Sequence, residues 1–313
     1  MAQAALTGFR DDAGEWDKAL YAFLVSKRNR SGSMRTVQGY SGMLTHFFGL
    51  AGKPPDRVSG AEVFAWANGP GISGRQPSTT TVGARIACLS SFYRFLIRME
   101  LVQVNPCDRL ERPKARQSIP RGLAAEDIRK LLAVVPETRE GLRDGAIILT
   151  LVLTGRRRAE VLGLAAGDLS AEGSTTYYQY RGKGGKSGRR ELPQPAYDAI
   201  VRELAVWGKS LECMRSDESL WPTGSDARGT KGITSGTFYL SLRRYLRAAG
   251  LPMSGVHVFR HTAAKLRRDA GESVEDVSMF LDHSSLAVTS VYLRRLEGQR
   301  DKGWSKVAEA IGV

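Results

Sequence analysis

Six residues in the second half of this 313-residue chain are of the types that could do chemistry on a phosphate: Arg157, Lys183, His257, Arg260, His283 and Tyr292. Arginine, lysine and histidine bring positive charge and hydrogen-bond donors to phosphate oxygens, and a tyrosine oxygen can attack the phosphorus. A set of this kind could cut and rejoin nucleic acid through a covalent phosphotyrosine. Taken singly, each residue also has a plainer explanation, so the local context of each matters.

The string TGRRRAEVLGL spans 154–164. Consecutive helical residues point about 100° apart, so Arg156, Arg157 and Arg158 cannot all serve one site. Arg157 stands three residues before Glu160, whose carboxylate can steady the guanidinium from the next turn. A solvated basic helix start would read the same way. Lys183 lies in RGKGGKSGRR (181–190), where glycines let a lysine reach a ligand; Lys186 is a second candidate, and a solvated basic turn is the alternative. HVFRHTAAKLRRDAG begins at His257 and sets His257, Arg260 and His261 on one helical face. That spacing invites comparison with the HExxH metal motif, but no glutamate follows the first histidine and Arg260 would repel a cation. His283 follows Asp282 and precedes two serines able to cap a helix. Tyr292 sits between Val291 and Leu293, where a core tyrosine would look no different. Nine residues of unbroken helix would set Tyr292 about 180° from His283 and ~13 Å along the axis. For both to reach one phosphate, either His283 precedes the helix start or the helix breaks between Leu286 and Thr289, and both are expected.

Apolar spacing predicts the elements that must position these groups. Trp16, Leu20, Phe23 and Leu24 mark a helix over 15–27, ended by the polar run RNRSGS. Ser33 caps a second helix through Val37, Tyr40, Leu44, Phe47 and Phe48, which Gly49 and the turn 52–55 close. Ser59 starts a third that stops at Asn68-Gly69-Pro70, and a fourth carries Val82, Ile86, Leu89, Phe92, Tyr93 and Leu96 on one stripe. Basic residues (Arg35, Arg75, Arg85) fall around the caps and polar faces of this bundle. The stretch 105–120, with three prolines and few apolar residues, reads as a linker, with the domain boundary near 113–118. Beyond it, helices are predicted over 125–135, 142–153, 158–164, 196–207, 235–249, 258–270 and 273–281. Residues 177–181 and 189–192 read as paired strands around the glycine-rich tip. The chain is therefore expected to be mainly α with a small antiparallel β-sheet.

Composition narrows the partner. Lys and Arg total 46 against 32 Asp and Glu, a formal net charge of +14. That excess favours a polyanion, because each cation set against a phosphate releases condensed counterions. Cys88, Cys107 and Cys213 lie far apart with no CxxC spacing, which argues against a disulfide framework and a cysteine-based zinc site. No apolar run is long enough to cross a bilayer and no secretion signal is visible at the N-terminus, so a cytoplasmic protein is expected.

The strings TGRRRAEVLGL, RGKGGKSGRRELP, HVFRHTAA and LDHSSLAVTSVY, in this order and spacing, resemble the tyrosine recombinase (phage integrase, Xer-type) family. The first half resembles that family's helical core-binding domain, through SMRTVQGYSGMLTHFF, LSSFYRFLIR and NPCDRLERPK. The resemblance implies a two-domain clamp: a core-binding, SAM-like DNA-binding domain over 15–112, a linker over 113–120, and an α+β catalytic domain with a C-terminal tail over 121–313. It implies that Tyr292 attacks the scissile phosphate to leave a 3′-phosphotyrosine and a free 5′-hydroxyl. Arg157 and Arg260 would bind the non-bridging oxygens, Lys183 would protonate the leaving oxygen, His257 would assist proton transfer from Tyr292, and His283 would hydrogen-bond the phosphate. No metal, ATP or other cofactor is implied. The implied partners are double-stranded DNA with inverted-repeat core sites and further copies of the chain, forming a tetramer on DNA with a Holliday junction intermediate. Residues 293–313, with Trp304, Val307, Ala308 and Ile311 at helical spacing, could dock on a neighbouring copy or on their own domain. The implied setting is nucleoid-associated.

One position departs from the family pattern. Where glycine usually precedes the second histidine, this chain has Asp282. An acid beside a phosphate site is unfavourable unless it points away, and the expectation is that Asp282 caps the following helix or steadies His283. Two rival functions share parts of this reading: a type IB topoisomerase-like enzyme that relaxes DNA, and a catalytically silent DNA-binding regulator. The helical first half and the C-terminal tail favour the recombinase over the first, and occupation of all six positions argues against the second.

Overall fold

The computed structural model describes residues 14–72, 74–113, 122–182, 187–224 and 228–282. The chain divides into two compact units, Met1–Ser118 and Ile119–Val313. Apart from Pro113, the segment expected to link them, 113–120, lies outside the described residues.

The first unit contains α1 (Glu15–Ser31), α2 (Met34–Ala51), α3 (Gly60–Asn68) and α4 (Thr79–Arg98). Helix α1 runs through the polar stretch expected to end it. Arg28 and Arg30 are good helix formers and sit favourably in its last turn, against the negative end of the helix dipole. The stop comes only at Gly32, whose φ of 61° turns the chain left-handed. Helix α2 likewise passes Gly49 and closes at Gly52, with φ 59°. Ser33 caps α2 by accepting the Thr36 N–H, and Ser59 forms a reciprocal capping box with Glu62 at the start of α3. The core of the unit is aromatic. Phe23 meets Phe92 edge-on at 5.2 Å between ring centroids, and Phe47 meets Trp66 at 5.1 Å. Arg85 is buried rather than solvated: its Nη1 donates to the carbonyls of Trp66, Ala67 and Gly69 at 2.8, 3.2 and 2.7 Å. It thereby satisfies the C-terminal carbonyls of α3.

The second unit follows the order α5 (Ala125–Ala133), α6 (Arg139–Thr154), α7 (Arg158–Leu162), β1 (Leu169–Glu172), β2 (Thr175–Arg181), β3 (Ser187–Glu191), α8 (Gln194–Val206), α9 (Ser235–Ala248), α10 (Val258–Asp269) and α11 (Val274–Phe280). Helix α6 is its axis, burying Ala146, Ile147, Ile148 and Leu151 and packing on α8 and α10. Among the described residues the sheet is three-stranded and antiparallel, in the order β1-β2-β3. Tyr178 is paired with Leu169 on one side and Arg190 on the other. Strand β1 was not among the sequence expectations. Its LSAE has one partly buried residue and three exposed ones, so it is a strand only by pairing with β2. Trp221 is wholly buried and donates its indole N–H to the Val161 carbonyl at 2.6 Å, fixing the end of α7.

Candidate active site

The site is organised around the turn between α6 and α7. Gly155 ends α6 with φ 59°, and its N–H bonds the Leu151 carbonyl at 3.0 Å. A Cβ at this position would lie 2.5 Å from Phe280 Cε1 and 2.9 Å from Leu281 Cδ2. Both the backbone conformation and the close approach of the α11 end therefore require glycine. Two residues on, Arg157 is the N-cap of α7. Its own N–H donates to Glu160 Oε2 at 2.9 Å, and its Nη1 donates to Glu160 Oε1 at 2.9 Å. Glu160 is buried, so it fixes the stem of Arg157, whose side chain remains 41% exposed. The support from Glu160 expected from the spacing is present.

The second contribution comes from the start of α10. Val258 and Phe259 are buried and anchor the first turn in the core. Arg260 is 4% exposed, and its Nη1 donates to the Gly155 carbonyl at 2.8 Å while Nη2 donates to the Leu281 carbonyl. Its guanidinium thus joins the α6–α7 turn to the end of α11. His257 precedes α10, and its ring meets that of His261 edge-on at 4.8 Å. His257 keeps an exposed surface, yet the surrounding protein desolvates the ring; this, then the charges of Arg260, Arg157 and Arg158, lowers its pKa below the ordinary histidine value. The ring is therefore neutral near pH 7, the form that accepts a proton. Arg157, His257 and Arg260 are gathered in one place. Lys183, its competitor Lys186, His283, Tyr292 and the tail 293–313 lie outside the described residues.

The following helix and His283, which Asp282 is expected to cap or steady, lie outside the described residues. The Asp282 carboxylate accepts hydrogen bonds from three side chains of other elements. Oδ2 accepts from Arg156 Nη1 and from the Tyr180 hydroxyl, and Oδ1 accepts from Arg190 Nη2 at 2.9 Å. Arg156 is 1% exposed; it also donates to the Phe280 carbonyl, and its guanidinium stacks 4.7 Å from the centre of the Tyr180 ring. Arg156 and Arg157, adjacent in sequence, thus have opposite fates, one buried as a structural tie and the other exposed. Burial pushes the Asp282 carboxyl up, but hydrogen bonds from Tyr180 and Arg190 and the charge of Arg156 outweigh it and hold the pKa below the usual value. Burial, then the Asp282 hydrogen bond, raises the Tyr180 phenol. The backbone at Asp282 is left-handed, with φ 50°. That conformation explains why glycine suits the position, and aspartate is among the few other residues that tolerate it. The sequence flagged Asp282 by its departure from the family pattern, but gave no sign of Tyr180 or Arg190 beyond strand propensity.

The convergent groups are cationic. Among the described residues no cluster of three or more His, Cys, Asp or Glu side chains is gathered to hold a metal ion. No described helix is long and apolar enough to cross a membrane.

Comparison with known proteins gives concordant results. A family model described as the phage integrase family matches residues 121–298. A tyrosine recombinase XerC of Roseiflexus castenholzii is 28% identical over 296 residues, covering 88% of this chain and 87% of that one. A XerC of Roseiflexus sp. strain RS-1 is 30% identical over 222 residues, covering 70% and 69%. The crystal structure of a XerH site-specific recombinase bound to a palindromic difH substrate, in a post-cleavage complex, matches with TM-score 0.66 at 16% identity, covering 99% of this chain and 92% of that one. A lambda integrase tetramer bound to a Holliday junction matches with TM-score 0.65 at 18% identity, covering 93% and 79%. At these identities the structures show a shared fold.

Proposed function

The chain belongs to the phage integrase family, and on that premise we propose how its residues exchange DNA strands. It is a tyrosine recombinase, an enzyme of site-specific DNA recombination. The observation that carries the residue roles is the gathering of Arg157, His257 and Arg260 around the Gly155 turn. Two guanidiniums held by Glu160 and by backbone carbonyls are donors whose geometry is set before substrate arrives, as stabilisation of a developing phosphorane charge requires. Tyr292 attacks the phosphorus while the bond to the 5′-oxygen breaks, leaving a 3′-phosphotyrosine. Neutral His257 takes the tyrosine proton, Lys183 gives one to the departing 5′-oxygen, and His283 donates to a phosphate oxygen. The phosphodiester energy is kept in the new ester, so a 5′-hydroxyl from another strand can reverse the step without ATP. No step needs a metal ion.

The relatives' complexes support a larger frame: duplex DNA with inverted core sites as partner, and four copies acting through a Holliday junction. The setting is the cytoplasm, on the nucleoid, where such DNA is found. The test uses a supercoiled plasmid carrying the DNA that flanks the protein's own gene. Protein-linked 3′ ends should map to one short site, should be absent with Tyr292→Phe, and should persist in EDTA. Relaxation of any plasmid without site preference, or strict dependence on a divalent ion, would refute the reading. Lys183→Ala should fail on ordinary DNA and recover on a 5′-bridging phosphorothiolate, whose sulfur leaves without a proton. Recovery by Lys186→Ala instead would reassign the acid.

A further inference from the structure

We infer that Asp282 is a positioning residue whose carboxylate clamps the turn entering His283 onto the β2–β3 hairpin that carries Lys183. The inference rests on the reading of the site given above, and it deepens that reading by naming what holds the elements leading to Lys183 and His283 in register.

Three observations carry it. First, the ligands of the carboxylate come from separate parts of the fold: Tyr180 from β2, Arg190 from β3, and buried Arg156 from the turn that presents Arg157. Second, the two strand residues flank the hairpin tip closely. Tyr180 pairs with Gly188 and Arg190 with Tyr178, one and three pairs from the strand ends at Arg181 and Ser187. Third, Asp282 stands in a left-handed conformation next to His283, where glycine would be less strained. A side chain at such a position is held by what it touches, and these contacts tie the turn to the sheet and to Arg156. Arg190 adds a 3.4 Å hydrogen bond to the Met279 carbonyl, so the sheet also grips the end of α11.

The clamp has a distinctive consequence. Losing it should loosen the hairpin, and therefore the delivery of the proton to the leaving oxygen, more than the attack by tyrosine. Asn is the informative replacement, because it accepts a left-handed backbone while removing the charge and turning one acceptor oxygen into an amide donor. Asp282→Asn should slow covalent-complex formation about 10- to 100-fold on a nicked suicide duplex built on the mapped site. Most of that loss should return on the 5′-bridging phosphorothiolate version of the same duplex. Arg190→Gln, a change at a half-exposed side chain, should give the same pattern. The double variant should be no slower than the worse single one, because both remove one link. Without DNA, amide exchange across 175–191 should quicken in Asp282→Asn relative to the parent protein.

Wild-type cleavage rates in Asp282→Asn and Asp282→Gly would overturn the inference, and so would a defect that phosphorothiolate fails to relieve. Unchanged exchange across β2–β3 would overturn it whatever DNA does. The exchange measurement also separates two failures. If the parent protein forms no covalent complex on any DNA, the proposed function fails, while the exchange data still decide whether the clamp exists.

Discussion

Gly155→Ala tests the central geometric claim, because one methyl group strikes both the backbone and the packing of the site. At φ 59° an alanine takes on the left-handed penalty, about 1–2 kcal/mol. The new Cβ also lies 2.5 Å from Phe280 Cε1 and 2.9 Å from Leu281 Cδ2, distances at which something must move. Forcing a methyl into such a contact costs roughly 1–3 kcal/mol. Together about 2–5 kcal/mol is lost, which for a domain of this size lowers Tm by roughly 5–20 °C. The functional loss should exceed what unfolding explains. Among the described residues, Arg260 is held by the Gly155 carbonyl and by that of Leu281, which the methyl displaces. Cleavage of the mapped site, measured well below the variant's Tm, should therefore fall at least about tenfold. Gly155→Asn separates the two contributions, since asparagine tolerates the backbone conformation but keeps the clash. In a Phe280→Ala background the alanine should cost less than in the parent, because the ring it strikes is gone. Thermal unfolding of all four proteins checks this. If Gly155→Ala unfolds within 0.5 kcal/mol of the parent, taken as roughly the scatter of a neutral surface change, the close-approach argument is wrong.

Two further outcomes depend on pH. Glu203 on α8 is fully buried, its carboxyl oxygens have no hydrogen-bond partner among the described residues, and burial pushes its pKa up to about 8. Since the folded state then holds a proton that the unfolded state releases near 4.5, stability should fall as pH rises from about 4.5 to 8. Glu203→Gln should remove that slope, gaining about 3 kcal/mol at pH 7 by urea unfolding and nothing at pH 4; a parallel pH dependence in the two proteins would refute it. For His257 the lowered pKa places the acid limb of kcat/KM below the ordinary histidine range. That limb should vanish in His257→Gln, and a limb unchanged by the substitution would assign it to another group.

How much of this was legible in the sequence follows from the distance over which each contact acts. The caps at Ser33 and Ser59 and the Arg157–Glu160 pair span three residues, and all are present as the sequence suggested. The contacts of Asp282 with Arg156, Tyr180 and Arg190 span 126, 102 and 92 residues, and no local pattern announces them. Strand β1 failed for the same reason, since its strand character lies in its partner. The overrun of α1 had a different cause. A polar, charged stretch suggests a break, but arginine favours helix and opposes nothing at a C-terminus; only a residue able to turn left-handed ends it. Arg85 looks like a surface cation in the sequence, but the Trp66, Ala67 and Gly69 carbonyls at the end of α3 give a buried guanidinium enough partners.

The clamp also resolves the electrostatic objection to an acid next to a phosphate site. Asp282 does not present a bare charge to DNA, because two guanidiniums, Arg156 and Arg190, pair with one carboxylate. The group as a whole carries net positive charge, and its only acid is held ionised by the partners that neutralise it. Arg156 gains as well: a guanidinium with 1% exposure would be untenable without an anion or carbonyls to meet it, and here it has both. Removing the acid would thus leave a buried cation short of a partner beneath the residue that presents Arg157. An aspartate at a position that favours glycine is consistent with a cationic site when the cation it balances lies inside the protein rather than on the DNA-facing side.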